Sequence, residues 1–264
     1  MRSGAGAPVQ VGNRAGGAAT SMWYYLFKYI FMGPALRLMG RPRIEGLENI
    51  PKDGAALIAS NHMAVVDSFY LPLMVPRRIF FLAKSEYFTE KGLKGRFKKW
   101  FFSTSGQIPI DRSGASAAAD ALLAGKKVLE DGRLLCLYPE GTRSPDGRLY
   151  KGKTGLARIA LETGTPVIPI AMVGTDRINP PGTVLPRPTR IVVRVGEPLD
   201  FSRYEGMAGN RFIERAVTDE IMYALMRLGG QQYVDVYAAS LKNAGGGAKA
   251  AAPTAPAAKP GDAA

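Results

Sequence analysis

The sequence is poor in the residues that most often hold metals or carry covalent intermediates. Among 264 residues it has one cysteine, Cys136, and one histidine, His62. A lone cysteine excludes an internal disulfide, and one histidine with one cysteine cannot assemble a zinc site of the usual His/Cys kind. The thiol lies in an apolar run, LLCLY (134–138), which predicts burial, and no G-x-S-x-G elbow is present. An acyl-enzyme nucleophile has no obvious carrier. The chemistry has to come from oxygen, nitrogen and charge.

Acidic side chains are also scarce. There are 22 Asp and Glu against 35 Lys and Arg, a net charge of +13. Much of the excess falls between Arg77 and Lys99, where Arg77, Arg78, Lys84, Lys91, Lys94, Arg96, Lys98 and Lys99 face only Glu86 and Glu90. Such a patch suits a phosphate-bearing partner: nucleic acid, an anionic lipid surface or a phosphorylated substrate. No zinc finger, RNP-like box or base-reading helix is apparent, so nucleic acid is not an expected partner.

A long uninterrupted apolar run is missing too. Residues 22–39, MWYYLFKYIFMGPALRLM, come nearest. A spanning helix needs about 20 mostly apolar residues, and Lys28 and Arg37 would each cost about 2.5–3.5 kcal/mol at mid-bilayer. Gly33-Pro34 breaks the run, because proline disrupts the helical bond ladder. Two short helical pieces over 22–40 lying in a membrane interface fit better, with Trp23, Tyr24 and Tyr25 at headgroup depth. Lys28 also argues against a cleaved signal peptide. The basic, aromatic run KGLKGRFKKWFF (91–102) strengthens the membrane-surface reading. The two ends, 1–21 and 243–264, have almost no large apolar side chains and are expected to be flexible tails.

The remaining body, 41–242, alternates strand and helix patterns. AALIAS (55–60), RRIFFLAK (77–84), QIPID (107–111), LLCLY (134–138), PVIPIAMV (166–173) and RIVVRVG (190–196) read as strands. SFYLPLM begins a helical stretch interrupted at Pro72; ASAAADALLAGKKVLED is a helix stopped at Gly132, and TGLARIALET one stopped at Gly164. Asn210 caps a long amphipathic helix ending at Gly229-Gly230, and Asp146-Gly147 reads as a hairpin turn. The pattern predicts an α/β domain with a largely parallel or mixed central sheet flanked by helices. Three polar clusters fall at strand exits, where functional loops gather in such sheets: NHMAVVD, DRSG and PEGTRS.

A neutral imidazole is a good general base near pH 7, and a carboxylate on Nδ1–H fixes its tautomer and stabilises the imidazolium that forms. His62 and Asp67 are five residues apart, about 140° around a continuous helix and poor for contact. With His62 at a strand exit and Asp67 in the first turn of a helix, the chain folds back and joins them. PEGTRS supplies what a phosphate needs: backbone N–H groups at Gly141 and Thr142, a hydroxyl, and the fork of Arg143. Arg112 adds a second positive clamp.

These residues carry a resemblance. NHMAVVD (61–67) matches the NHxxxxD box of the glycerolipid acyltransferases, best known from the 1-acylglycerol-3-phosphate acyltransferases. GQIPIDR (106–112), YPEGTRS (138–144) and TPVIPIAM (165–172) resemble the family's second, third and fourth boxes, in order. The resemblance implies a catalytic His62–Asp67 pair that deprotonates the free hydroxyl of a lysophosphatidic acid. The oxygen would then attack the thioester of acyl-CoA or acyl carrier protein with no covalent enzyme intermediate, and no cofactor or metal is implied. Glu140, Gly141, Thr142 and Arg143, with Arg112, would bind the phosphate-bearing acceptor, and Pro169 would be structural or shape the acyl site. Glycerol 3-phosphate, another lysophospholipid or a glycolipid could use the same pair. The implied partners are an anionic membrane surface, the lysophospholipid and the acyl donor; the implied place is the cytoplasmic face of the cell membrane, peripheral or monotopic.

The chain departs from the family pattern at Ala64, where serine is frequent, at Pro109, where an aromatic is common, and at Tyr138, often phenylalanine. None removes a group the chemistry needs. Two readings compete with it. GRLYKGKT (147–154) satisfies the P-loop pattern G-x-x-x-x-G-K-[ST], but an eight-residue polar loop (139–146) separates it from the preceding strand, whereas a phosphate cradle leaves its strand directly. A non-catalytic lipid-binding module would use residues 77–102 and leave His62 without a task.

Overall fold

The computed structural model describes residues 17–85, 92, 95, 106–110, 117–178 and 187–244. Arg112, residues 1–16 and 245–264 of the two tails, and most of the run 86–105 lie outside them, while 17–21 and 243–244, expected in the tails, are helical.

Seven strands form one mixed sheet: β1 (Arg43–Glu45), β2 (Ala56–Ser60), β3 (Ile79–Lys84), β4 (Gln107–Ile110), β5 (Leu134–Leu137), β7 (Val167–Val173) and β8 (Val192–Val195), in the order β1-β8-β7-β2-β5-β3-β4. The five strands from β7 to β4 run parallel; β8 is antiparallel to β7, and β1 runs with β8. The central strand β2 is buried at every position, as a continuous apolar run in a sheet covered on both faces must be.

Alternate residues of β2 feed two cores, because strand side chains point to opposite faces. Leu57 and Ala59 join Val128, Leu156, Ile159, Val217 and Ile221, from helices α4 (Ala117–Glu130), α5 (Gly155–Thr163) and α7 (Arg211–Gly229). Ala56 and Ile58 join Tyr70, Leu71 and Leu73 of α3 (Asp67–Met74) on the other face. A short helix α6 (Thr175–Ile178) follows β7, and α8 (Ala238–Ala244) comes last. The stops lie where expected: Gly164 (φ +61) ends α5, Gly230 (φ +64) ends α7, and Asn210 accepts the Phe212 and Ile213 N–H groups at the start of α7.

The N-terminal segment forms a bent pair, α1 (Gly17–Leu26) and α2 (Gly33–Gly40), joined by a π-helical turn. It docks on α3. The Tyr70 hydroxyl donates to Leu36 O at 3.0 Å, and the Tyr70 ring lies where a β-carbon on Gly40 would stand, 2.5 Å from its hydroxyl oxygen. Lys28 Nζ donates to Val75 O at 2.5 Å, and burial, reinforced by Arg37, pushes its pKa down to about 8. The outer face stays apolar, with Met22, Trp23, Ile30, Phe31 and Leu38 exposed. Among the described residues, no helix is long and apolar enough to cross a membrane.

Four expectations change. Tyr24 is not an interfacial aromatic: it is buried against Arg78 beneath its exposed neighbours Trp23 and Tyr25. The helix α3 runs through Pro72 and ends two residues later, its inner face held by Tyr70, Leu71 and Leu73. Asp146-Gly147 makes a turn, with Gly147 at φ +88, but closes no hairpin. The short strand β6 (Leu149–Tyr150) leaves the main sheet and pairs in parallel with β9 (Tyr233–Val234). Arg77, counted among the free cations of the basic patch, instead donates to the carbonyls of Pro51, Gly54 and Gly132.

Candidate active site

Strand β2 ends at Ser60, and the next two residues leave the sheet in different roles. Asn61 is buried and fastens the exit to β7: its amide donates to Met172 O at 3.0 Å and its carbonyl accepts Met172 N–H at 2.7 Å. His62 follows, with its side chain 17% exposed. Five residues after His62 the chain enters α3 at Asp67, which is fully buried. A carboxylate in the first helical turn also sits favourably in the field of the helix dipole.

The loop wraps this carboxylate. Asp67 Oδ2 lies 2.9 Å from His62 Nδ1 and accepts the backbone N–H groups of Met63 at 2.7 Å and Ala64 at 2.8 Å. The Ala64 contribution is a main-chain N–H, so the missing serine hydroxyl costs the arrangement nothing. Asp67 Oδ1 is buried without a hydrogen-bond partner. A desolvated carboxylate with one orphaned oxygen gains most from a positive neighbour, and the His62 ring is the group placed to provide it. With Nδ1 given to Asp67, Nε2 has no partner among the described residues and is the atom that can take a proton.

The loop after β5 meets this pair from the side. Tyr138 stacks on the His62 ring, centroids 3.9 Å apart and planes 12° from parallel, and its hydroxyl hydrogen-bonds Ser68 Oγ at 2.9 Å. Burial first, then the neighbouring Cys136 and Asp67, raises the Tyr138 pKa well above the ordinary phenol value; it acts as a neutral plate. Ser144 N–H donates to His62 O at 2.7 Å.

Glu140, expected from the resemblance to bind the acceptor, links two loops. It is buried, its Oε1 accepting the His62 backbone N–H at 3.1 Å and its Oε2 that of Tyr150 at 3.0 Å. These two bonds make it a brace tying the His62 loop to the PEGTRS loop and β6. Gly141, Thr142 and Arg143 continue toward solvent, with Gly141 at φ +71 and Arg143 exposed. Arg112 lies outside the described residues. Pro169 is buried within β7, opposite Ala59 of β2 and packed where a β-carbon on Gly196 would stand 2.9 Å from its Cγ.

Two contributors carry no signal in the motifs. Gln231, just past α7, donates to Gly147 O at 2.8 Å and to Met63 Sδ at 3.1 Å, and accepts from Asn61 Nδ2 at 2.7 Å. Lys153 belongs to the P-loop-like string but crosses over Gly141: a β-carbon there would stand 3.1 Å from Lys153 Cε and 3.3 Å from Nζ. That string is no phosphate cradle, because Leu149 and Tyr150 within it are strand β6. It delivers a lysine to the neighbouring loop instead.

Comparison with known proteins gives the same class. The family model described as Acyltransferase matches residues 41–173. A chloroplastic 1-acyl-sn-glycerol-3-phosphate acyltransferase of Arabidopsis thaliana is 36% identical over 141 residues, covering 53% of this chain and 38% of the relative. A 1-acyl-sn-glycerol-3-phosphate acyltransferase of Limnanthes alba is 32% identical over 177 residues, 66% of this chain and 60% of that one. In each case the aligned region spans less than two thirds of the relative's length. The crystal structure of the 1-acyl-sn-glycerophosphate acyltransferase PlsC from Thermotoga maritima superposes with a TM-score of 0.60 at 24% identity, covering 82% of this chain and 84% of that one, a likeness of fold. The chain belongs to the acyltransferase family.

Proposed function

We propose that the chain transfers a fatty acyl group from acyl-CoA or acyl carrier protein to the free hydroxyl of 1-acyl-sn-glycerol 3-phosphate, giving phosphatidic acid. The observation that carries this reading is the His62 ring, held through Nδ1 by buried Asp67 with Nε2 left for a substrate proton. The names of the relatives support the acceptor and the reaction.

Nε2 takes the proton of the acceptor hydroxyl as its oxygen attacks the thioester carbonyl carbon. The imidazolium lies against Asp67, which neutralises it without leaving its backbone donors. The tetrahedral intermediate collapses by breaking the C–S bond, and the leaving thiolate takes the proton back from Nε2. Tyr138 and Glu140 keep the ring in place through this cycle. The acceptor phosphate is bound by the Thr142 N–H group, Arg143, Arg112 and the Lys153 ammonium, whereas the Gly141 N–H is already given to Tyr138 O at 2.9 Å and only shapes the turn. Pro169 serves the sheet. The exposed apolar face of the N-terminal pair brings the site to a membrane surface, where the acceptor resides. We place that surface on the cytoplasmic side.

The test incubates the purified protein with palmitoyl-CoA and a panel of lysophosphatidic acid, glycerol 3-phosphate, other lysophospholipids and a glycolipid, with products identified by mass spectrometry. Phosphatidic acid as the dominant product supports the proposal; thiol release and product formation only with another acceptor refute it.

A further inference from the structure

A second polar feature of the molecule has no role in the chemistry above. Between the N-terminal pair and the end of α3 lies a cavity of about 530 Å³ lined by Tyr29, Arg37, Arg41, Arg43, Leu73 and Met74, among others. Three exposed arginines line it, and the carboxylate of Glu45, two residues from Arg43, pairs with Arg194 instead. Arg41 is also the one non-glycine described residue with a positive φ, +38°. That conformation closes α2, the Arg41 N–H donating to Arg37 O at 2.9 Å, and so sets both arginines at the same end of the helix.

The walls narrow the ligand. Three fork-shaped cations ask for a phosphate or carboxylate, but Leu73, Met74, Pro42 and Pro76 ask for hydrocarbon beside it. The apolar side chains Ile30, Phe31 and Leu38 stand exposed on the same helical pair. An amphiphile satisfies both halves, whereas a free phosphate ion satisfies one. The cavity also lies away from the base: Leu73 and Met74 end the helix that Asp67 begins, about 10 Å along its axis.

We propose that this cavity binds the phosphate headgroup of an anionic phospholipid, as a site separate from the acceptor site, and so fixes how the N-terminal pair sits on a membrane. Arg37, Arg41 and Arg43 hold the phosphate, and the acyl chains continue along Leu38, Ile30 and Phe31 into the bilayer. The site is independent of the identity of the acyl acceptor.

The test uses the full chain carrying His62→Ala, so that no turnover alters the lipid. Sedimentation with phosphatidylcholine vesicles, with and without about 30% phosphatidylglycerol, should show at least about tenfold preference for the anionic vesicles. Combining Arg37→Gln, Arg41→Gln and Arg43→Gln should remove that preference, whereas Lys52→Gln, Arg211→Gln and Arg227→Gln, which take away the same charge elsewhere, should keep most of it. Equal losses in the two triple variants would overturn the proposal. Calorimetric titration with dioctanoyl phosphatidylglycerol below its micellar concentration should give saturable binding that Arg43→Gln alone abolishes, with thermal unfolding unchanged, and that Arg143→Ala preserves. Loss with Arg143→Ala instead would put the lipid in the acceptor site and refute the assignment. Displacement by coenzyme A as effective as by the short-chain lipid would make the cavity a donor site and refute it too; inorganic phosphate should displace only weakly.

Discussion

Glu140 and His62 are joined through the main chain: the carboxylate Oε1 accepts the His62 N–H at 3.1 Å while its Oε2 accepts the Tyr150 N–H at 3.0 Å. The imidazole is thus held at both ends, by Asp67 on the ring and by Glu140 on the backbone. Glu140→Gln puts an amide N–H against one of two backbone donors. We expect a loss of about 1–3 kcal/mol in urea unfolding, a fall in kcat and a nearly unchanged acceptor KM. A raised KM with full stability would instead mean direct contact with the acceptor.

Lys153 over Gly141 makes the opposite prediction. Its side chain is exposed and braces nothing buried, so Lys153→Ala should leave thermal stability intact and raise the KM for a phosphorylated acceptor by roughly tenfold, with kcat within a few-fold. Lys153→Arg should restore most of the affinity.

Gln231 connects Asn61, Met63 and Gly147 in one step. Gln231→Ala leaves the amide of Asn61 with only Met172 and should cost about 1–2 kcal/mol of stability. Because it touches both flanks of His62, kcat should fall while membrane binding stays the same. An unchanged kcat in the folded variant would show that this contact positions nothing.

Alkaline pH should unfold the protein by a definable route. Burial raises Cys136 and Tyr138 well above their ordinary values and pushes Tyr70 and Tyr233 up to about 12. Acids whose folded values are raised contribute stability that is complete below their unfolded values, near 8.5 for a thiol and 10 for a phenol, and that drains away above them. Urea midpoints should therefore decline as pH rises from about 9 toward 12. Cys136→Ala, though less stable overall through its lost packing, should begin that decline at higher pH.

Parts of the site were legible because they are local. A buried strand, an Asn-His exit and an aspartate five residues on can only bring the two side chains together if a helix starts at the aspartate, and it does. The stops at Gly132, Gly164 and Gly230 and the cap at Asn210 are equally local. Partners remote in sequence were not legible. Gln231 lies 170 residues from Asn61, and nothing in its own neighbourhood marks it. The bond from Glu140 to the Tyr150 N–H depends on how the chain beyond the loop folds back. The reversed direction of β8 and the departure of β6 from the main sheet likewise depend on long-range pairing rather than on local pattern.

The central claim is that His62, oriented by Asp67, takes the proton of an alcohol. It is tested most directly by steady-state turnover of lysophosphatidic acid and palmitoyl-CoA with His62→Ala and Asp67→Asn, each checked for folding and vesicle binding. Both variants should fold, bind vesicles and lose at least about 10²-fold in kcat. Full turnover by folded His62→Ala would contradict it.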